Sequence, residues 1–144
     1  MITAQTMITI VSAGETHESP MMDIVELFQS TGEVDLLSFD KKITTGQISN
    51  TRSSSGKDFV YIQVDEQSPL LVTPDARLYD PTVNEWIRAT EFVTGKSILT
   101  PTGETQTISD VHLIRDEQLC KTYTVTVTPT QCYFANNILI HNHG

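Results

Sequence analysis

The sequence is poor in cysteine and in basic residues, and each shortage excludes a class of protein. Only Cys120 and Cys132 occur among 144 residues, too few for a disulfide scaffold or for a metal site built from cysteine pairs. Nine Lys and Arg stand against 18 Asp and Glu, which gives a net charge of −9. Because such a surface repels phosphate, we expect no nucleic-acid partner. No ligand set points to a metal or a cofactor.

Long apolar runs are also missing. The longest hold about five residues, whereas a membrane-spanning helix needs roughly 20. No charged segment followed by an apolar segment opens the chain, as it would in a signal peptide. We therefore expect a cytoplasmic protein outside the membrane, and a single domain, since most domains hold roughly 100–200 residues.

Threonine is abundant, and it favours strands over helix interiors. Residues 122–128 alternate Thr with Tyr and Val, the pattern of a strand with one buried face. The serine-rich stretch 52–57 is predicted to be a loop. Other apolar or β-branched runs predict strands at 7–11, 35–39, 59–64, 70–73, 96–100 and 134–140, and those at 59–64 and 70–73 form a predicted hairpin.

One helix stands out. Ser19 suits its N-cap, Pro20 its first position and Gly32 its end. Apolar residues between them recur at helical spacing, at Met21, Ile24, Val25 and Phe28. A short helical turn is also predicted at 89–92. The fold class is therefore mostly β with one or two short helices.

The C-terminal residues carry the clearest chemistry. The side-chain amide of Asn142 can attack its own backbone carbonyl, form a succinimide and cut the chain after itself. His141 can protonate the departing nitrogen, which suits the pKa range of histidine. An apolar strand at 138–140 would hold the pair in place. The alternative is a polar, frayed tail.

Several segments resemble the characteristic blocks of inteins, the protein-splicing domains of the Hint superfamily. Tyr-Thr-Val-Thr-Val at 123–127, then Phe-Ala-Asn-Asn and Ile-Leu-Ile-His-Asn up to Asn142, is similar to the family's last two blocks. Thr73-Pro74-Asp75-Ala76 resembles its Thr-x-x-His block. Gly-Glu-Val-Asp-Leu-Leu-Ser at 32–38 and Thr6 with Ile8 resemble blocks nearer the N-terminus. The resemblance spans nearly the whole chain.

The resemblance implies an all-β horseshoe in which the two ends of the chain meet. Residues 1–142 would form the splicing domain and 143–144 a flanking stub. The length matches a minimal intein without a homing endonuclease. Implied partners are flanking sequences in cis or a complementary split fragment, on a monomeric chain.

The implied chemistry is single-turnover self-processing: excision of the domain and ligation of its flanks. A nucleophile at residue one attacks the preceding carbonyl, the block-two Thr and His activate that bond, and Asn cyclisation assisted by His releases the domain. Of this set the chain keeps Thr73, His141 and Asn142.

Five positions depart from the family pattern. The thioether of Met1 cannot serve as the first nucleophile, and Ala76 stands where the block-two His belongs. Thr124 replaces an Asp of the penultimate block, and Gln131 a His that is common there. His143, after the cleavage junction, offers no hydroxyl or thiol to accept an acyl group. The prediction is a splicing-deficient domain with at most C-terminal cleavage at Asn142.

Three origins fit these departures. The first is an engineered or fused split intein with a start Met at position 1, a lesion at Ala76 and a stub at 143–144. The second is a bacterial intein-like domain, and the third is a degenerate intein. A joint between split fragments would fall near Met21-Met22. A different class, a β-rich binding or structural module without catalysis, predicts chain ends that lie far apart.

Overall fold

Strands make up most of residues 1–142, the part of the chain that the computed structural model describes. That part contains one α-helix and one 3-10 turn. The elements are β1 (Ile2–Thr3), β2 (Met7–Ser12), β3 (Glu15–Pro20), α1 (Met21–Thr31), β4 (Asp35–Phe39), β5 (Ile43–Gln63), β6 (Leu70–Val72), β7 (Arg77–Asp80), β8 (Glu85–Arg88), the 3-10 turn (Ala89–Glu91), β9 (Ser97–Leu99), β10 (Thr105–Thr107), β11 (Asp110–Thr128), β12 (Cys132–Ala135) and β13 (Ile138–His141). The predicted class, mostly β with one or two short helices, is confirmed.

The main sheet has both ends of the described chain in its interior. Its strands follow the order β11-β1-β6-β5-β4-β2-β12-β13-β7-β8, with β3 beside β2, and β9 pairs with β10 separately. The first strand therefore lies between β6 and β11, and the last between β12 and β7. Strands with a neighbour on each side place their residues at fixed positions, which is what a site built from chain ends requires.

The longest pairing joins β5 and β11. The same two strands are also connected through β1 and β6, because β11 pairs with β1, β1 with β6 and β6 with β5. The register of β5 and β11 runs from Asp110 opposite Gln63 to Thr128 opposite Gln47, with irregularities between Arg115 and Cys120 and after Thr126. The predicted loop at 52–57 is wrong, because these residues lie inside β5. Serine and glycine hide the strand from a hydrophobic pattern, but their backbone groups pair with β11.

The helix begins one residue later than the cap pattern predicted. Pro20 rather than Ser19 is the N-cap, and it makes no side-chain capping bond. Backbone carbonyls accept from the first helical N–H groups instead: Thr6 from Met21 at 2.8 Å and Ala4 from Met22 at 3.1 Å. The predicted end is confirmed, since Gly32 adopts the left-handed conformation, φ 71°, that favours glycine.

Two apolar clusters lie on opposite sides of β12 and β13. Alternate side chains of these strands face each cluster. Tyr133 and Ile140 pack in the larger one, which also contains the buried face of α1. Phe134 and Leu139 pack in the smaller one, and Trp86 covers it.

The described residues also bear on the classes excluded above. Across positions 1–142, no helix is long and apolar enough to cross a membrane. Cys120 and Cys132 are both free thiols. Cys132 is fully buried and Cys120 is partly buried.

Gly46 of β5 offers a test of how tightly β5 packs against β11. An added Cβ would lie 2.5 Å from Cγ1 of Val127 and 2.8 Å from Oγ1 of Thr130. Gly46→Ala should therefore lower the free energy of unfolding by about 1–3 kcal/mol, as overpacking of a filled core does. Urea denaturation measures it. Gly56→Ala is the matched control, because nothing lies within 4 Å of its added Cβ; equal effects of the two substitutions would contradict the described packing.

Candidate functional site

The first strand brings residue one to the centre of the sheet. Ile2 is fully buried and lies opposite both Val72 of β6 and Tyr123 of β11. A β-branched side chain suits such a two-sided strand position. Met1 consequently lies beside Thr73, the residue that follows β6.

Thr73 holds residue one through two hydrogen bonds. The α-amino group of Met1 donates to Oγ1 of Thr73 at 2.8 Å, and the backbone N–H of Thr73 donates to the Met1 carbonyl at 2.9 Å. Sδ of Met1 accepts from the hydroxyl of Thr122 at 3.4 Å. The nitrogen that an N-terminal junction would contain is thus in contact with the threonine that the resemblance implicates.

The α-amino group of Met1 is perturbed by this position. Burial lowers its pKa from 8.0 to about 6, the carboxylate of Asp75 opposes that shift, and the charge of Arg52 adds to it. At neutral pH most of the amine is therefore uncharged.

Ala76 lies at the base of the same turn. Its N–H donates to the carbonyl of Thr73 at 3.0 Å, and its own carbonyl accepts from Ala89 N–H at 2.7 Å. The residue is fully buried. The turn that presents Thr73 is therefore intact, but the side chain at position 76 is a methyl group that can neither donate nor accept a proton.

The predicted C-terminal junction follows directly after the β12–β13 hairpin. Asn136 and Asn137 form its two-residue turn, both with positive φ, 45° and 65°, a conformation that asparagine tolerates and that type I′ hairpin turns require. Ile140 pairs with Tyr133 on one side and Leu78 on the other. The last described residues are thereby fixed in register.

Asn142 is the most tightly held polar residue of the site, with only 4% of its surface exposed. Its side-chain Nδ2 donates to the carbonyl of Val127 at 3.3 Å. Its backbone N–H donates to the carbonyl of Gln131 at 2.9 Å. Its carbonyl oxygen accepts from Oγ1 of Thr124 at 3.4 Å and from Nη2 of Arg52 at 3.2 Å. A frayed tail does not fit these contacts.

His141 is the last residue of β13 and directly precedes Asn142. Its ring packs edge-on against Trp86, with centroids 5.0 Å apart and an angle of 76° between the planes. It pairs in register with Cys132. The indole therefore helps to orient the imidazole one residue before the junction.

The substituted penultimate-block positions both touch Asn142. Thr124 reaches it through its hydroxyl, which also contacts the Tyr133 hydroxyl at 3.2 Å. Gln131 reaches it through its backbone carbonyl only, and its side chain is exposed. His143, predicted as the flanking residue, lies outside the described residues.

Arg52 is the residue that sequence reasoning missed. It lies opposite Thr124 in the β5–β11 register and contacts the Asn142 carbonyl. The sequence predicts a loop at this position because the neighbours of Arg52 are serines and no apolar alternation marks the strand. Only the β-branched residues around it, such as Ile48 and Thr51, signal extended backbone.

The structure thus brings seven of the sequence-predicted positions into two groups of neighbouring residues. Thr73 contacts Met1, Ala76 forms the base of the same turn, and Thr124, Gln131 and His141 surround Asn142. Arg52 links the two halves, because its charge acts on the Met1 amine and its guanidinium contacts Asn142. Within residues 1–142, no group of three or more His, Cys, Asp or Glu side chains is placed to hold a metal.

No family model matches the chain, and no curated protein matches it in sequence. Solved structures do match it. A bacterial intein-like domain from Clostridium thermocellum has a TM-score of 0.77 at 17% identity and covers 98% of this chain and 97% of its own. A DnaB intein from Synechocystis has a TM-score of 0.76 at 13% identity, over 99% and 98%. The transcription factor IIB Mvu mini-intein has a TM-score of 0.77 at 14% identity, over 99% and 100%.

At these identities the likeness establishes the fold. The chain has the mostly-β Hint fold of inteins. Each alignment covers nearly all of this chain and nearly all of the similar structure, as for a minimal intein without an inserted domain. The resemblance found in the sequence is confirmed at this level.

The buried amine of Met1 predicts how stability depends on pH. Because the folded-state pKa is lowered from 8.0 to about 6, the unfolded chain binds more protons between these values, and stability should rise through that window by about 2–3 kcal/mol. Urea denaturation from pH 5 to pH 9 measures it. The same series on the N-acetylated chain is the control, since acetylation removes the titration; parallel curves would contradict the burial of the amine.

Proposed function

We propose that this chain is an autocatalytic self-processing domain that cuts the peptide bond after Asn142 by cyclisation of that residue. The observation that supports this best is the double restraint on Asn142: its attacking nitrogen is held by Val127 and its own carbonyl by Thr124 and Arg52.

Cyclisation of Asn142 forms one bond and breaks one. Nδ2 of Asn142 forms a bond to its own carbonyl carbon, and the bond from that carbon to the nitrogen of His143 breaks. Nδ2 loses a proton to solvent water, and a proton reaches the departing amine. The Val127 carbonyl, which accepts from Nδ2, draws electron density toward the nitrogen, and His141 supplies the proton to the leaving group. The products are a C-terminal succinimide and a free amine at His143.

The N-terminal half of splicing is absent from this proposal. Met1 has a thioether where a thiol or hydroxyl is needed, and Ala76 cannot protonate a departing nitrogen. His143 offers no acyl acceptor. The domain would therefore act on flanking sequence in cis as a C-terminal cleavage unit. The hydrogen bonds between Thr73 and residue one would be the remnant of an N-terminal step.

The alternative function, a β-rich binding or structural module without catalysis, is less well supported. It predicted chain ends that lie far apart. Met1 and Asn142 instead share Arg52 as a neighbour, and β1 and β13 both lie inside one sheet.

C-terminal cleavage predicts release of a reporter domain fused after Gly144. The unsubstituted fusion should release it with first-order kinetics at neutral pH, leaving a chain that ends in succinimide or its hydrolysis products at Asn142. Intact-mass spectrometry follows both fragments. Asn142→Ala should abolish release, and His141→Ala should slow it about 100-fold or more, the usual size of a general-acid contribution. Equal release from the fusion and from Asn142→Ala would refute cyclisation.

Restoring the missing N-terminal groups gives a second test of the assignment. With a peptide extension before position 1, Met1→Cys combined with Ala76→His should create a junction that dithiothreitol cleaves through a thioester. Met1→Cys alone should cleave much more slowly, because no imidazole then activates the bond. Reporter loss on a denaturing gel measures both, and thermal melting checks that histidine fits the buried position. Two equally inert, folded variants would count against the block assignment.

A further inference from the structure

The carbonyl oxygen of Asn142 receives two donors from two adjacent strands. Nη2 of Arg52 in β5 lies 3.2 Å away and Oγ1 of Thr124 in β11 lies 3.4 Å away. These residues are register partners in the β5–β11 ladder. Directly opposed residues project from the same face of a sheet, so the two donors converge because of the pairing itself.

A third residue orients the threonine hydroxyl. Tyr133 is fully buried, and burial raises its pKa to about 12. Its phenol therefore stays protonated and acts as a donor, and its hydroxyl lies 3.2 Å from Oγ1 of Thr124. When Thr124 accepts from Tyr133, its own hydrogen points to the Asn142 carbonyl.

We propose that Arg52 and Thr124 form the oxyanion-stabilising site for cyclisation of Asn142, with Arg52 as the principal donor. The inference rests on the proposed function and names the groups that lower its barrier. It assigns a catalytic role to Arg52, which none of the intein-like sequence blocks contains.

The reaction places negative charge on this oxygen. As Nδ2 bonds to the carbonyl carbon, the C=O electron pair moves onto oxygen; when the bond to His143 nitrogen breaks, that pair re-forms the carbonyl. The guanidinium of Arg52 stays charged throughout the pH range of proteins, so its hydrogen bond strengthens as the oxyanion develops. The hydroxyl of Thr124 adds a neutral donor.

The exposure of Arg52 sets the size of the effect. Loss of one buried oxyanion donor typically costs about 100- to 1,000-fold in rate. Asn142 is buried, but Arg52 is an exposed residue. Solvent therefore weakens the electrostatic interaction of its guanidinium with the carbonyl. We expect a contribution of about 10- to 100-fold.

The test uses the reporter fusion after Gly144 with four substitutions. Arg52→Gln should slow release about 10- to 100-fold, and Arg52→Lys should recover part of the rate because it keeps the charge. Lys121→Gln is the matched control: it removes one positive charge from the neighbouring strand, where Lys121 lies over the Tyr123 ring, and should change the rate less than about twofold. Asn142→Ala sets the background.

The outcomes separate the two proposals. If the unsubstituted fusion releases the reporter, Asn142→Ala does not, and Arg52→Gln matches the unsubstituted rate, the oxyanion role is overturned and the function stands. Unchanged melting temperatures in Arg52→Gln exclude a folding defect as the reason for slow release.

A second measurement decides the role of Arg52 if nothing is released. The chain has one Asn-His pair, Asn142-His143, so labelling Asn with 13C at the carbonyl and His with 15N gives a single NMR correlation for that bond. Arg52→Gln should shift its carbonyl resonance and Lys121→Gln should not. No shift in Arg52→Gln overturns the inference whether or not the chain cleaves.

The threonine donor is tested in the same assay. Thr124→Val removes the hydroxyl at nearly constant volume and should slow release severalfold, and Tyr133→Phe should have a smaller effect in the same direction, because it only frees the hydroxyl to rotate. Thr126→Val, on the same strand, is the control. A Thr124→Val variant that folds and releases at the unsubstituted rate would leave Arg52 as the sole donor and contradict the paired site.

Discussion

Backbone hydrogen bonds between β5 and β11 fix the side chains of these two strands that contact Met1 and Asn142. β11 carries the threonines that contact Met1 and Asn142, and β5 carries Arg52. The same two strands also pair with β6 and β1, which places Thr73 against residue one. Because side chains alternate, a register slip of one residue would move Arg52 and Thr124 to the other face and dismantle the site.

The two halves of the site have different chemical capacity. Around Met1, the backbone turn and the hydroxyl of Thr73 are in place, but the groups that would donate a proton or attack a carbonyl are a methyl and a thioether. Around Asn142, the backbone N–H, the backbone carbonyl oxygen and the side-chain Nδ2 have partners: two backbone carbonyls, one hydroxyl and one guanidinium. The backbone arrangement is thus in place at both ends, while positions 1 and 76 lack a nucleophile and a proton donor.

The sequence predicted what depends on local pattern and missed what depends on pairing. Apolar alternation at 122–128, the left-handed Gly32 and the final His-Asn pair are all readable from neighbouring residues. Arg52 is not, because its strand is polar on both faces and is held by backbone bonds to residues about 70 positions away. The N-cap was misplaced for a similar reason: carbonyls of Thr6 and Ala4, rather than Ser19, satisfy the start of the helix.

The central location of β1 has a consequence for when the site can exist. Ile2 pairs with Tyr123, so β1 has no complete set of neighbours until β11 has been made and has folded against it. Such non-local pairing slows folding, since the entropy of closing a long loop is lost before contacts compensate for it. Arg52 and Thr124 can therefore contact the Asn142 carbonyl together only after β5 and β11 have paired.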